Sequence, residues 1–316
     1  MRQNLLKMAL TVLLMIHASH LAVAGQAVQS SDVDAHWIGP DGERMPFRSY
    51  LEIEQFLETA RVTAVKSISD GITKPRKLTL EKDGVQLHAI FRYVDIEARK
   101  VQTLQGMRFE YRDAAVFELA SYRLTRLLGM DCVPPVVLRD FSKEDFLDLA
   151  LLKELPARRG TVQVWVENAM TEKHRLKGGI RPPDARSWAR QRHMMTVFDN
   201  LIFNDDRNQG NILIGPDWKL WFIDATRAFR PFEKLRDPDQ FLRCDRDFYE
   251  RLDRLDDREV AEAMKGLLTP REVRALLKRV DRLMERLDVL IAAHGEQVVL
   301  FDQPGALVGA SLMANR

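Results

Sequence analysis

Cysteine is nearly absent: Cys132 and Cys244 are the only two in 316 residues, which excludes a disulfide-knit scaffold and allows at most one bridge. Their sequence separation does not say whether they meet in space, and two buried free thiols are the expectation. No apolar run reaches the roughly 20 residues that a membrane-spanning helix needs. Internal repeats and low-complexity tracts are missing as well, so neither a solenoid nor a disordered tail dominates the chain. Charge of one sign is not in surplus: 48 Lys and Arg stand against 46 Asp and Glu, a formal net charge of +2, which gives no reason to expect a nucleic-acid partner. What is present is a chain 46% hydrophobic and 30% charged, long enough for one large or two small cores.

The first 24 residues stand apart. Arg2 and Lys7 precede an apolar run from Met8 to Ile16, and Ala22-Val23-Ala24 offers small residues where signal peptidase cuts. His17, Ser19 and His20 interrupt the run too early for a stable span. The segment is therefore expected to be a cleaved signal peptide on an exported protein, periplasmic or secreted. The remainder then has equal numbers of basic and acidic side chains.

Periodicity divides the rest in two. A helix is expected over Tyr50–Ala60, with Leu51, Phe56 and Leu57 inward. Strands are expected over Val62–Ile68, Lys77–Glu81 and Val85–Val94, the last two joined through Asp83-Gly84, a pair that tolerates the positive φ angles of a tight hairpin. A helix over Asp113–Leu128 follows, then strands Val136–Arg139 and Thr161–Glu167 around a charged surface excursion, Asp140–Arg159. Beyond a linker with Gly178-Gly179 and Pro182-Pro183 the pattern becomes helical, from Asp184–Phe203 onward. Thr269-Pro270-Arg271-Glu272 is a capping box opening a long terminal helix. Its Arg271, Arg274, Lys278, Arg279, Arg282 and Arg286 read as a solvated basic face.

The chemistry concentrates at Asn204-Asp205-Asp206-Arg207-Asn208-Gln209-Gly210-Asn211, directly before a short strand. Gly215-Pro216-Asp217 turns that strand back into Lys219–Ile223, so the hairpin returns Asp224 beside Asn211, and the preceding loop brings Asp206 to the same end. Magnesium or manganese takes oxygen ligands, one or two carboxylates joined by substrate phosphates and water. Asn211 and Asp224 suit that task. Asp206, not consumed by metal, suits the orientation or deprotonation of an attacking hydroxyl.

The pattern Asp206-Arg207-x-x-x-Asn211 followed by Ile223-Asp224, with Ile212-Leu213 and Ala228-Phe229, resembles the kinase-like superfamily, in its branch with phosphoinositide 3-/4-kinases and secretory-pathway kinases. The resemblance implies an α+β, bilobal protein-kinase-like fold: a small β-rich N-lobe with one helix and a larger, mainly helical C-lobe. It implies segments at 1–24 (signal peptide), 25–61 (N-terminal extension with a helix), 62–167 (N-lobe), 168–300 (C-lobe) and 301–316 (tail). It also implies ATP as cofactor, with Arg92 on its phosphates and Glu118 fixing Arg92, where the superfamily has lysine and glutamate. Ile90 would cover the adenine, Gly71 and Thr73 would lie over the phosphates, and Glu167 would complete the nucleotide site. The implied activity is ATP- and Mg/Mn-dependent phosphotransfer to a protein, sugar or lipid hydroxyl. The alternatives are a pseudokinase that binds a nucleotide or partner without transfer, and an AMP transferase. Taken without the resemblance, Arg92 reads as an edge-strand charge and Glu118 as a solvated helix residue.

Overall fold

A computed structural model describes residues 37–68, 73–103 and 106–302. The expected signal peptide, Gly71 and most of the expected C-terminal tail lie outside those residues. Helix α1 (Tyr50–Thr59) starts at Ser49, whose hydroxyl accepts the Glu52 N–H at 3.3 Å. It buries Ile53, Phe56 and Leu57, whereas Leu51, expected inward, is 60% exposed. Helical phase decides this, because Ile53 stands three and four residues before Phe56 and Leu57.

Strands β1 (Arg61–Ser67), β2 (Arg76–Lys82) and β3 (Val85–Arg92) form a meander. Asp83 and Gly84 turn β2 into β3 with φ angles of 52° and 76°, the left-handed pair of a tight hairpin. Two later strands, β6 (Val136–Asp140) and β7 (Arg159–Val164), complete an antiparallel sheet in the order β1-β2-β3-β7-β6. Leu78, Leu80, Leu87, Ala89, Phe91 and Val162 are buried in it. The 140–159 excursion is better anchored than its charge suggests: Phe141 and Phe146 are buried in the core, and a short helix α3 (Leu149–Lys153) follows.

The hairpin of β4 (Asp95–Thr103) and β5 (Gly106–Ala114) is absent from the sequence reading. Because β5 continues to Ala114, helix α2 begins at Val116 and runs to Leu127, later than the expected Asp113. Ion pairs dock the hairpin, Arg108 to Asp205 at 2.8 Å and Arg112 to Glu272 at 3.0 Å, while Arg112 also pairs across the two strands with Asp95 at 2.9 Å. Alternation of Met107, Phe109 and Tyr111 with Arg108, Glu110 and Arg112 is the local signal of β5.

In the second half, β8 (Met170–Thr171), β9 (Ile212–Ile214) and β10 (Leu220–Phe222) form a small sheet in the order β10-β9-β8. Helix α4 (Glu172–Lys177) follows β8, and helix α5 (Ala185–Leu201) precedes β9. Further on come β11 (Cys244–Asp245), α6 (Arg246–Asp253), α7 (Asp257–Ala263), α8 (Pro270–His294), α9 (Glu296–Val299) and β12 (Leu300–Phe301). The capping box of α8 forms as expected. Its basic face is not wholly solvated: Arg279 is fully buried and donates to the carbonyls of Leu201, Arg230 and Phe232. Cys132 and Cys244 are buried free thiols. Among the described residues no helix is long and apolar enough to cross a membrane.

Candidate active site

The loop that leaves α5 is built around Arg207. Its guanidinium donates to Asp199 on α5 at 3.0 Å and to the carbonyls of Asn211 and Ile223 at 2.6 and 2.7 Å. One buried fork thus ties the helix to both strands of the β9–β10 hairpin. The Asn211 amide donates from Nδ2 to the Asp206 carbonyl at 3.0 Å, and the Ile223 N–H donates to the Asn211 carbonyl at 3.4 Å. These bonds bring Asp206, Asn211 and Asp224 to one end of the hairpin. Asp224 takes a left-handed φ of 59°, uncommon for a residue with a side chain.

Arg92 faces this group from the end of β3. Since β3 runs between β2 and β7, Arg92 is not an edge charge; it is buried. Its Nε lies 3.7 Å from Glu118 Oε1 and 3.8 Å from Asp224 Oδ1, and its Nη1 donates to Gln163 Oε1 at 3.1 Å. Glu118 has 0% exposure, so the solvated-face reading fails, and its Oε1 also accepts the Ala225 N–H at 3.1 Å. Burial raises the Glu118 pKa, opposed by the charge of Arg92 and reinforced by that of Asp224. Glu118 Oε2 and Gln163 Nε2 are buried without a hydrogen-bond partner, a deficit that natural interiors normally fill.

Asp206 is half-buried, and its Oδ2 accepts Arg227 Nη1 at 3.1 Å. Burial raises its pKa, Arg227 opposes the rise, and Asp224, Asp205 and Asp113 add to it. The other expected residues are more dispersed. Ile90 is half-buried and pairs in register with Lys77 on one side and Gln163 on the other, so the row crosses the sheet on the Arg92 face. Glu167 follows β7 and pairs with His88 Nδ1 at 2.5 Å, apart from the Arg92 cluster. Thr73 sits in the turn before β2. Sequence reasoning missed Gln163, Asp113 and Arg227, and no motif singles them out; Arg207 stood in the pattern without a role, and the two-residue turn at Asp83-Gly84 sets Lys77 opposite Ile90.

Asn211 and Asp224 fit a divalent cation that takes few protein ligands. Nδ2 of Asn211 is spent on the Asp206 carbonyl, which leaves its Oδ1 for a metal, and the Asp224 side chain is 39% exposed. Among the described residues no group of three or more His, Cys, Asp or Glu is placed to hold a metal alone. A separate cavity of about 480 Å³ lies behind α2 and β10, lined by Gly129, Asp131, Cys132, Lys219, Asp245 and Arg251 among others. It contains none of the residues above.

A small sheet with one long buried helix, a helical second half and a carboxylate-bearing hairpin facing a sheet arginine make an α+β, bilobal, kinase-like fold. No protein-family profile matches the chain, and no curated protein matches it. Solved structures do match. Hydra Fam20 with sugar superposes with a TM-score of 0.58 at 16% identity, over 80% of this chain and 92% of that one. The Golgi casein kinase matches with a TM-score of 0.58 at 15% identity, over 81% of this chain and 80% of that one. The same kinase with Mn/ADP bound gives 0.59 at 16% identity, over 81% and 80%. At these identities the likeness establishes the fold.

Proposed function

We propose that this chain is an ATP- and magnesium- or manganese-dependent phosphotransferase acting on a hydroxyl of a protein, sugar or lipid. The observation that carries the proposal is the convergence of Asp206, Asn211 and Asp224 opposite the buried Arg92–Glu118 pair. The Mn/ADP held by the similar Golgi casein kinase supports the choice of nucleotide and metal. Asn211 and Asp224 would hold the metal, which supplies charge neutralisation on the phosphates when bound. Arg92, fixed by Glu118 and Gln163, binds phosphate oxygens. Asp206 orients the acceptor hydroxyl and accepts its proton as the hydroxyl oxygen bonds to the γ-phosphorus; the bond from that phosphorus to the bridging oxygen breaks, and ADP leaves. Ile90 covers the base, and Thr73 and Glu167 border the nucleotide. In this proposal 62–167 form the N-lobe and 168–300 the C-lobe, and the first 24 residues direct export and are then removed.

The test is a thermal-shift titration of the chain lacking residues 1–24 with ATP and manganese, beside Asp224→Ala and Asp206→Asn. The expected outcome is a metal-dependent rise in Tm that Asp224→Ala abolishes and Asp206→Asn retains, with phosphate transfer lost in both. The absence of any shift in the wild type would overturn the reading. One observation favours a second reading: Arg92 already pairs with Asp224, as in a pseudokinase that binds nucleotide without transfer. A manganese-dependent shift without any ATP turnover would select it.

A further inference from the structure

Arg227 joins parts of the molecule that lie far apart in sequence. Its Nε donates to Asp113 Oδ2 at 2.9 Å, and its Nη1 donates to Asp206 Oδ2 at 3.1 Å. Asp113 is buried near the end of β5, and the Tyr111 hydroxyl donates to the same Oδ2 at 3.2 Å. The guanidinium lies over the Tyr111 ring, 5.8 Å from its centroid. Main-chain bonding runs alongside, since the Ala114 N–H donates to the Thr226 carbonyl at 2.8 Å. The root of the β4–β5 hairpin is therefore clamped to the segment after Asp224, and through Arg227 to the Asp206 carboxylate.

The geometry has a direct consequence for Asp206. A carboxylate on a half-exposed loop turns freely about its side-chain bonds unless something holds it. The charge-assisted bond to Oδ2 removes that freedom and leaves Oδ1, which has no partner among the described residues. The planar fork meets the two carboxylates with separate nitrogens at fixed angles, which the compact, freely rotating ammonium of a lysine does less well. We propose that Arg227 is a positioning residue that aims Asp206 at the acceptor, and that Asp113, at the root of the hairpin, holds Arg227 for that task. The proposal rests on the phosphotransferase reading above. A misplacement of about 1 Å at a reacting group costs about 10²-fold in rate, which sets the expected size of the effect.

The experiment measures steady-state ATP hydrolysis with manganese, water serving as acceptor, and Mn·ATP thermal shifts. The proteins are the full exported chain, Arg227→Gln, Arg227→Lys, Asp113→Asn and the Arg227→Gln/Asp113→Asn double variant. Arg227→Gln is expected to lower kcat about 10²-fold while the KM for ATP and the thermal shift stay at wild-type values. Arg227→Lys recovers part of the loss, and Asp113→Asn lowers kcat in the same direction. The double variant is no slower than Arg227→Gln alone, because one residue acts through the other. Unchanged kcat in Arg227→Gln, or losses that multiply in the double variant, would overturn the inference. A wild type with neither shift nor hydrolysis fails at the earlier step, so the two failures are distinguishable. Should Arg227→Gln lack a cooperative melting transition, Asp113→Asn and Arg227→Lys carry the same comparison.

Discussion

Glu118 shows how one side chain trades stability for chemistry. It is fully buried, and burial raises its pKa despite Arg92. A carboxyl whose folded pKa lies above its unfolded value binds protons more strongly in the native state, so its contribution to stability falls as pH rises through that interval. Glu118→Gln removes the charge while keeping the shape. The variant is expected to melt close to the wild type near pH 4, where glutamate is largely neutral, and to gain on it as pH rises, while losing affinity for Mn·ATP. Melting curves of both proteins across pH, with and without nucleotide, check this; a Tm difference that does not change with pH would count against it. The sequence placed Glu118 on a helix but not its environment, because exposure depends on which face of α2 the rest of the chain covers. The same holds for Arg92, where strand alternation put Ile90 and Arg92 on one face and only the strand order made β3 interior.

At the scale of elements, α8 carries the clearest lesson. Glu272, Leu276, Arg279, Leu283, Leu287 and Leu290 are all buried at helical spacing, so the phase of the stripe already placed position 279 inward. Its charge argued for solvent, and the carbonyls of Leu201, Arg230 and Phe232 won by offering three acceptors inside. Arg279→Leu leaves those carbonyls without their donor and is expected to cost about 3 kcal/mol, read as a lower denaturation midpoint at unchanged m-value. A loss within the few tenths typical of surface sites would show that water replaces the guanidinium. The β4–β5 hairpin is the opposite case. Met107, Phe109 and Tyr111 alternate with Arg108, Glu110 and Arg112 as a strand requires, but docking runs through Arg108, Arg112 and Asp113, so nothing in that pattern showed an element that reaches both Asp206 and α8.

The whole molecule has a core continuous across both halves, with both thiols inside it. Burial raises the pKa of Cys132 and Cys244, and an apolar, protonated thiol is unreactive. Reducing agent is therefore expected to leave the melting temperature unchanged, and a thiol reagent to label both cysteines only on unfolding. Rapid labelling of the native protein would contradict the packing. By itself the sequence determined the division into a β-rich and a helical half, the Asp83-Gly84 turn, the α8 capping box and the Asp206, Asn211, Asp224 hairpin. Each rests on local rules of periodicity, turn angles and capping that act within a few residues. Tertiary structure alone decided that Arg92 and Glu118 close over Asp224, that Arg207 braces the loop and that Asp113 reaches Asp206 through Arg227. Those are ion pairs and carbonyl bonds made by side chains across separate elements, and a charged side chain carries no mark of its partner until the chain has folded.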